Sequence, residues 1–320
     1  MNAVPMEASM WNVLCGMFYV ECPANESPAN ESSMDERSGE ISTPVAPPRN
    51  AAMKAMVLAA GLGTRLRPLT DSRPKALVEL GGHTLLEITL RRLRRFGIAE
   101  AIVNVHHFAE MMVDYLNTHD FGMRVAIARE DELLLDTGGG LLHAADFFLQ
   151  GAASVSREGE LFLRQPFLLH NVDVLTDIDL GEMLDFHRAH DALATLAVQR
   201  RKSSRALLFD AQGQLCGRRS AGQQEEIVRA VPQPEAWAFT GVHILSPRIF
   251  ELVGTGRMGS GLTGGGPLQS FPIIPEYLRL AGAGEKILGW PADGYYWRDL
   301  GTFAALQQAA EDLERKLVEL

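Results

Sequence analysis

From Met53 onward, apolar residues follow two alternating rhythms. Short, nearly unbroken apolar runs at 54–60, 101–105, 124–128 and 166–170 predict buried strands. Between them, helical spacing predicts helices at 84–96, at 108–116 and from about Gly140 to Leu149. The first of these helices marks its own ends: Thr84-Leu-Leu-Glu87 is a capping box, and Gly97 stands at the C-terminus. Arg91, Arg92, Arg94 and Arg95 near that end read as a solvated face that suits the helix dipole. Strands alternating with helices predict an α/β fold, a Rossmann-like doubly wound sheet that is mixed and mainly parallel. After about residue 190 the rhythm changes. Segments 192–199, 206–209 and 239–245 read as strands with fewer helices between them, and 304–320 as a closing amphipathic helix.

Residues 1–52 break the pattern. Positions 21–50 are rich in Pro, Ser, Asn and Glu and contain a tandem duplication, Pro23-Ala-Asn-Glu-Ser27 and Pro28-Ala-Asn-Glu-Ser32. Such a stretch cannot bury enough apolar surface to order itself, so a disordered N-terminal extension is expected. The apolar run 11–20 is interrupted by Asn12 and Gly16 and is too short to span a bilayer. The chain carries a net charge of −10, and residues 1–52, with seven acids against Arg37 and Arg49, hold half of it. What remains offers no basic surface, which argues against a nucleic acid partner; no membrane partner is expected either. Three cysteines without a Cys-x-x-Cys spacing indicate neither a disulfide framework nor a zinc site, and a cytoplasmic setting is expected.

Candidate chemistry concentrates in Leu58-Ala59-Ala60-Gly61-Leu62-Gly63-Thr64-Arg65-Leu66-Arg67-Pro68, followed by Pro74-Lys75. A buried strand breaks into a turn at Gly61 and Gly63, where missing β-carbons let backbone N–H groups approach a ligand. Consecutive N–H groups in such a turn form a concave anion site, to which Thr64, Arg65 and Arg67 add a hydroxyl and two charges. The dinucleotide fingerprint would need glycine where Leu66 stands, and the classical phosphate loop would need a Gly-Lys-Ser/Thr ending. A lone Gly-x-Gly would read as a surface turn. The ordered combination reads as a polyphosphate cradle.

Two aspartates extend that reading. Asp173, in Asn171-Val-Asp173, follows an apolar strand and falls at the C-terminal edge of the predicted sheet, where ligands of open α/β sheets bind. Asp299 lies in Trp297-Arg-Asp-Leu-Gly-Thr302. Two carboxylates from distant segments suit a magnesium ion whose remaining ligands are phosphate oxygens and water. Asp173 alone reads equally as a turn or cap residue. Asp136-Thr137-Gly138-Gly139-Gly140 offers free N–H groups before a helix, or is simply a flexible loop. His106 and His107 read as structural histidines, His187 and His190 as members of a solvated helix face, and Cys216 has no neighbouring base.

These motifs resemble the sugar-1-phosphate nucleotidyltransferases. The family signature Gly-x-Gly-Thr-Arg-Leu-x-Pro-Leu-Thr is matched at Gly61–Thr70, and its Pro-Lys-Ala/Pro-Leu at Pro74–Leu77. The resemblance runs from about Met53 to the C-terminus, and is closest to N-acetylmuramate 1-phosphate uridylyltransferases and mannose-1-phosphate guanylyltransferases. It implies one domain over 53–320, with a nucleotide-binding half (53–190) and a sugar-binding half (191–320). No hexapeptide repeat follows, so the acyltransferase domain of some members is not expected. Implied nucleotide contacts are Leu58, Ala59, Ala60, Gly61, Gly63, Thr64, Arg65, Thr137, Gly138 and Gly139. Asn104, Asn171, Thr240 and Gly241 are expected at the sugar, the last two from the family's Phe-Ser/Thr-Gly segment. Arg65 and Lys75 are implied as the catalytic cations, and Asp173 and Asp299 as ligands of Mg2+. Val172 stands where many members have glycine, and Asp136 where the uridylyltransferases have glutamate.

The implied reaction joins a nucleoside triphosphate (UTP first, GTP next) to a sugar 1-phosphate and releases pyrophosphate. One alternative is a cytidylyltransferase acting on phosphocholine, for which Trp237, Phe239, Tyr295, Tyr296 and Trp297 could form an aromatic cage. The other is a non-catalytic relative that binds a nucleotide sugar, which would be expected to lack Arg65, Lys75 or an aspartate.

Overall fold

The computed structural model describes residues 53–150, 165–253 and 269–320; the expected N-terminal extension lies outside the described residues. The strand Ala55–Leu58 runs parallel to Glu100–Val105 on one side and to Phe167–Asn171 on the other. Paired on both edges and covered on both faces, it can carry only small and apolar side chains. Alternation along it feeds two cores: Ala55 and Val57 pack on one face of the sheet, Met56 on the other. Arg124–Arg129 continues the parallel array beyond Glu100–Val105.

Chain order reverses at Ala55–Leu58. The second and third of these strands lie to one side and Phe167–Asn171 to the other, which opens a crevice beyond the carboxyl ends of Ala55–Leu58 and Phe167–Asn171. The glycine-rich loop leaves the first of those ends and Val172-Asp173 leaves the second.

The second half is antiparallel where it joins the first. The long strand Glu235–Leu245 pairs with Phe167–Asn171, with Arg205–Phe209 and with Ala194–Gln199. Its register shifts between Phe239 and His243, so the predicted strand there contains a bulge. A separate two-stranded antiparallel ribbon pairs Val174–Thr176, which follows the strand Phe167–Asn171, with Trp297–Asp299.

The helix Leu85–Arg95 starts as its capping box predicts, with Glu87 N–H donating to Thr84 Oγ1 at 3.1 Å. Arg92 departs from the expected solvated face: it turns inward to the Ile178 carbonyl, and burial lowers its guanidinium pKa to about 10. His187 is likewise buried against Thr195 Oγ1 rather than solvated, whereas His190 is exposed. The helix expected from about Gly140 begins at Asp136, ends at His143 and restarts as Ala145–Leu149. The closing helix is shorter than expected, Phe303–Glu314, capped by Thr302 Oγ1. The helix Ile273–Gly282 and the strand Ile287–Pro291 carry prolines and glycines that obscure their periodicity, and neither is legible from pattern alone. Among the described residues no helix is long and apolar enough to cross a membrane.

Candidate active site

The glycine-rich loop is held by its own backbone and one threonine. Gly63 has φ 64°, a conformation that favours glycine, and its carbonyl accepts from Leu66 N–H and from Thr70 Oγ1, both at 2.9 Å. A β-carbon at Gly63 would stand 3.0 Å from Lys75 Cβ, so the loop lies directly on the Pro74–Lys75 segment. Thr64–Leu66 forms a single 3-10 turn that buries Leu66 and leaves Arg65 exposed toward the crevice mouth. Arg67 pairs with Asp71 at 3.3 Å, so its charge is already shared. Thr70, which the motif reading passed over, is buried and fixes the loop.

Four charged side chains meet across the crevice. Lys75, only 8% exposed, donates from Nζ to Asp173 Oδ2. Arg65 Nη2 lies 3.8 Å from Asp299 Oδ1. The ribbon brings the two aspartates together from distant segments: it sets Asp299 opposite Val174, and Leu300 N–H donates to the Asp173 carbonyl at 2.8 Å. Asp299 Oδ1 also accepts from Gly301 N–H at 2.6 Å. Among the described residues no group of three or more His, Cys, Asp or Glu side chains could hold a metal. A pair of hard carboxylates fits a magnesium ion that takes its other oxygens from phosphates and water.

Several expected ligand contacts are spent inside the protein. Asn104, expected at the sugar, is 3% exposed and hydrogen-bonded within the protein: its Oδ1 accepts from Ala59 N–H at 2.7 Å and its Nδ2 donates to Glu130 Oε1 at 2.7 Å. Glu130 Oε2 accepts from Leu135 N–H at 2.9 Å, and burial raises its carboxyl pKa. This buried glutamate, invisible to motif reading, ties the base of the phosphate loop to the glycine-rich helix. The N–H groups expected to be free before that helix are not free. Gly138 and Gly139 both donate to the Phe271 carbonyl, at 2.9 and 3.2 Å, and Thr137 N–H donates to Asp136 Oδ1. The Thr137 hydroxyl accepts from Ile273 N–H. A β-carbon on Gly138 would strike the Phe271 ring, so these glycines serve close packing rather than a flexible loop.

On the sugar side, Thr240 Oγ1 is buried and donates to the Ala197 carbonyl at 2.8 Å, so its hydroxyl faces the sheet and not the crevice. Gly241 has φ 85°, and a β-carbon there would meet Asn171 Nδ2 at 2.8 Å. The bulge thus brings Gly241 against Asn171, and the two stand together at the end of the strand Phe167–Asn171. Val172, in place of the family glycine, points into the core and does not narrow the crevice.

The aromatic residues do not converge on one cage. Trp237 lies under Arg200, Trp297 lies under Arg201, and Tyr295 packs at a tilt against Trp290. Tyr296 donates its hydroxyl to Asp312. Three of the five candidate rings, Trp237, Trp297 and Tyr296, already face a guanidinium, which would repel a quaternary ammonium.

Residues 54–209 match the nucleotidyl transferase family model. The N-acetylmuramate alpha-1-phosphate uridylyltransferase of Caulobacter vibrioides is 31% identical over 77% of this chain and 91% of its own. The chain belongs to the nucleotidyl transferase family. It is an enzyme of the sugar-1-phosphate nucleotidyltransferase type. Mannose-1-phosphate guanylyltransferase 1 of Arabidopsis thaliana is 33% identical over 46% of this chain and 38% of its own. Among solved structures, HddC from Yersinia pseudotuberculosis, complexed with GMP-PN, superimposes with a TM-score of 0.59 at 17% identity, covering 82% of this chain and 99% of that one. That likeness confirms the nucleotidyltransferase fold. The charged residues that line the crevice, Arg65, Lys75, Asp173 and Asp299, are those of the motifs that carry the family resemblance.

Proposed function

We propose that this protein transfers a uridylyl group from UTP to N-acetylmuramate 1-phosphate and releases pyrophosphate. A phosphate oxygen of the sugar phosphate attacks the α-phosphorus in line, and the bond from that phosphorus to the bridging oxygen of the β-phosphate breaks. The nucleophile is ionised at neutral pH, so no protein base is required. The work left to the protein is to bring two anions together and to stabilise the charge that develops. Arg65 is assigned to the departing pyrophosphate and Lys75 to the phosphate at the reacting centre. Asp173 and Asp299 would hold Mg2+, which when bound supplies neutralisation of the phosphate charges. A cytoplasmic setting, where nucleoside triphosphates are plentiful, follows from this reading.

The observation that carries the proposal is the convergence of Arg65–Asp299 and Lys75–Asp173 at the topological switch point. The choice of UTP and an acidic amino sugar rests on the uridylyltransferase relative, which this chain matches along nearly its whole length. Every residue that a non-catalytic relative would be expected to lose is present.

Pyrophosphate release with four nucleoside triphosphates against a panel of N-acetylmuramate, mannose and glucose 1-phosphates and phosphocholine tests the assignment. UTP with N-acetylmuramate 1-phosphate is expected to turn over fastest. Preference for GTP with mannose 1-phosphate would overturn the substrate choice, and release with no pair would overturn the activity. Arg65→Ala and Asp173→Asn are expected to lower turnover by about 10²-fold or more with the fold intact.

A further inference from the structure

Two adjacent arginines leave the strand Ala194–Gln199, and they meet opposite surroundings. Arg200 is exposed and fully paired, with Asp293 at 3.1 Å and Glu235 at 3.4 Å. Arg201 is half-buried and, among the described residues, has no carboxylate within ion-pair distance. Its guanidinium carbon sits 3.6 Å from the centre of the Trp297 ring, and Nη2 donates to the Phe239 carbonyl at 3.0 Å. Nε is buried without any partner. The platform beneath is itself fixed, because Trp297 Nε1 donates to the Thr240 carbonyl at 2.7 Å.

The strand places this cation at the reaction site. Trp297 and Asp299 are two residues apart in Trp297–Asp299, so their side chains leave the same face. A guanidinium lying on Trp297 is therefore placed near Asp299, the residue that also pairs with Arg65. Burial lowers the pKa of Arg201 and the nearby Asp299 charge raises it, consistent with that placement. A guanidinium stacked on an indole, held by one backbone carbonyl and left with unused N–H donors, is preorganised to grip an oxyanion.

We propose that Arg201 binds an oxyanion of the sugar substrate, its 1-phosphate, and so positions the nucleophile beside Asp299. This rests on the nucleotidyl-transfer reading of the crevice. An acidic amino sugar carries a second oxyanion, a carboxylate, and the same donors would accept it. The chemistry is shared, and the test separates the two sources.

Steady-state kinetics of Arg201→Gln and Arg201→Lys, with UTP and the sugar phosphate varied in turn, read the proposal directly. Arg201→Gln is expected to raise the KM for sugar phosphate by roughly 10–100-fold, the worth of one charge-assisted contact, and to change the KM for UTP by less than about 2-fold. Arg201→Lys is expected to recover part of the loss. An equal rise for N-acetylmuramate and N-acetylglucosamine 1-phosphates assigns the contact to the phosphate; a rise for the former alone assigns it to the carboxylate. An unchanged KM for both sugars, or a fall in kcat with both substrates' KM values shifted together, overturns the proposal, since a merely structural arginine would act that way. Calorimetric titration of the full chain with N-acetylmuramate 1-phosphate separates this inference from the proposed reaction. If wild type turns over no pair, weaker binding by Arg201→Gln still supports Arg201, whereas equal binding, or none by wild type, overturns it.

Discussion

Lys75 donates from Nζ to the Asp173 carboxylate across 98 residues of sequence, which joins the cation proposed for the reacting phosphate to a proposed ligand of Mg2+. The pair keeps two partly buried charges neutralised until phosphates enter. Lys75→Ala leaves Asp173 facing the crevice without its cation; Asp173→Asn leaves Lys75 with a neutral acceptor. Each is expected to lower turnover about 10²-fold or more. Each is also expected to lower stability by about 1–3 kcal/mol in urea titrations. The double variant should regain part of the stability, because no charge is stranded, yet regain no activity. Strict additivity of the two stability losses would show that the pair is not coupled.

Gly301 follows Asp299 closely for a steric reason. A β-carbon there would stand 2.5 Å from Asp299 Oδ1 and press on the Arg65 guanidinium. Gly301→Ala is therefore expected to displace both groups by a fraction of an ångström to an ångström and to cut kcat by roughly 10²-fold. The thermal midpoint should move little, since Arg65 is exposed and Asp299 only half-buried, and both can give way. Full activity in Gly301→Ala would remove Arg65 and Asp299 from the reacting centre.

The parts of this site that the sequence made legible are those whose chemistry is local. The phosphate loop, Pro74-Lys75 and the Asp-Leu-Gly-Thr segment carry their ligands within a few residues of the glycine or proline that shapes them. What stayed hidden depends on which way a side chain turns. Asn104 ends a strand and could have faced either the crevice or the protein; the buried Glu130 decides the matter, and nothing in the motif announces it. Thr240 belongs to a motif yet spends its hydroxyl on Ala197. Arg200-Arg201-Lys202 reads as an ordinary charged turn, and only the distant Trp297 distinguishes the middle residue. The alternating fold was legible because period-two and helical spacing survive without tertiary information. The helix Ile273–Gly282 was not, with Pro275 inside its first turn and its apolar face set by contacts with Phe271 and the glycine-rich helix.

Glu130 accepts two hydrogen bonds from opposite sides, one from Asn104 and one from Leu135. Glutamine has the same shape but only one accepting oxygen, so Glu130→Gln sets an NH2 against an N–H donor. The expected cost is about 1–3 kcal/mol, measured as a lower urea midpoint with an unchanged m-value. Because Asn104 also holds the Ala59 amide at the root of the phosphate loop, the KM for UTP should rise as well. A stability loss with an unaltered KM would confine Glu130 to a structural role.

Three buried histidines make the fold sensitive to acid. Burial is the chief cause in each case, lowering the pKa of His170 and His243 to about 3 and of His187 to about 4. Like-signed neighbours, Arg92 for His170 and Arg188 for His187, push the same way. The folded pKa values lie below the unfolded value, so the unfolded chain binds more protons throughout the window between them. Stability is therefore complete above about pH 6.5 and falls as pH drops toward 4, with each histidine contributing at most about 1.4 kcal/mol per pH unit. His243→Gln is expected to keep a hydrogen-bonding partner for the Tyr277 hydroxyl and to flatten that slope by one histidine's share. Urea titrations of wild type and variant at pH 7, 6, 5 and 4.5 measure both slopes. Parallel curves would show that His243 titrates alike in the folded and unfolded chain, and that some other group carries the acid sensitivity.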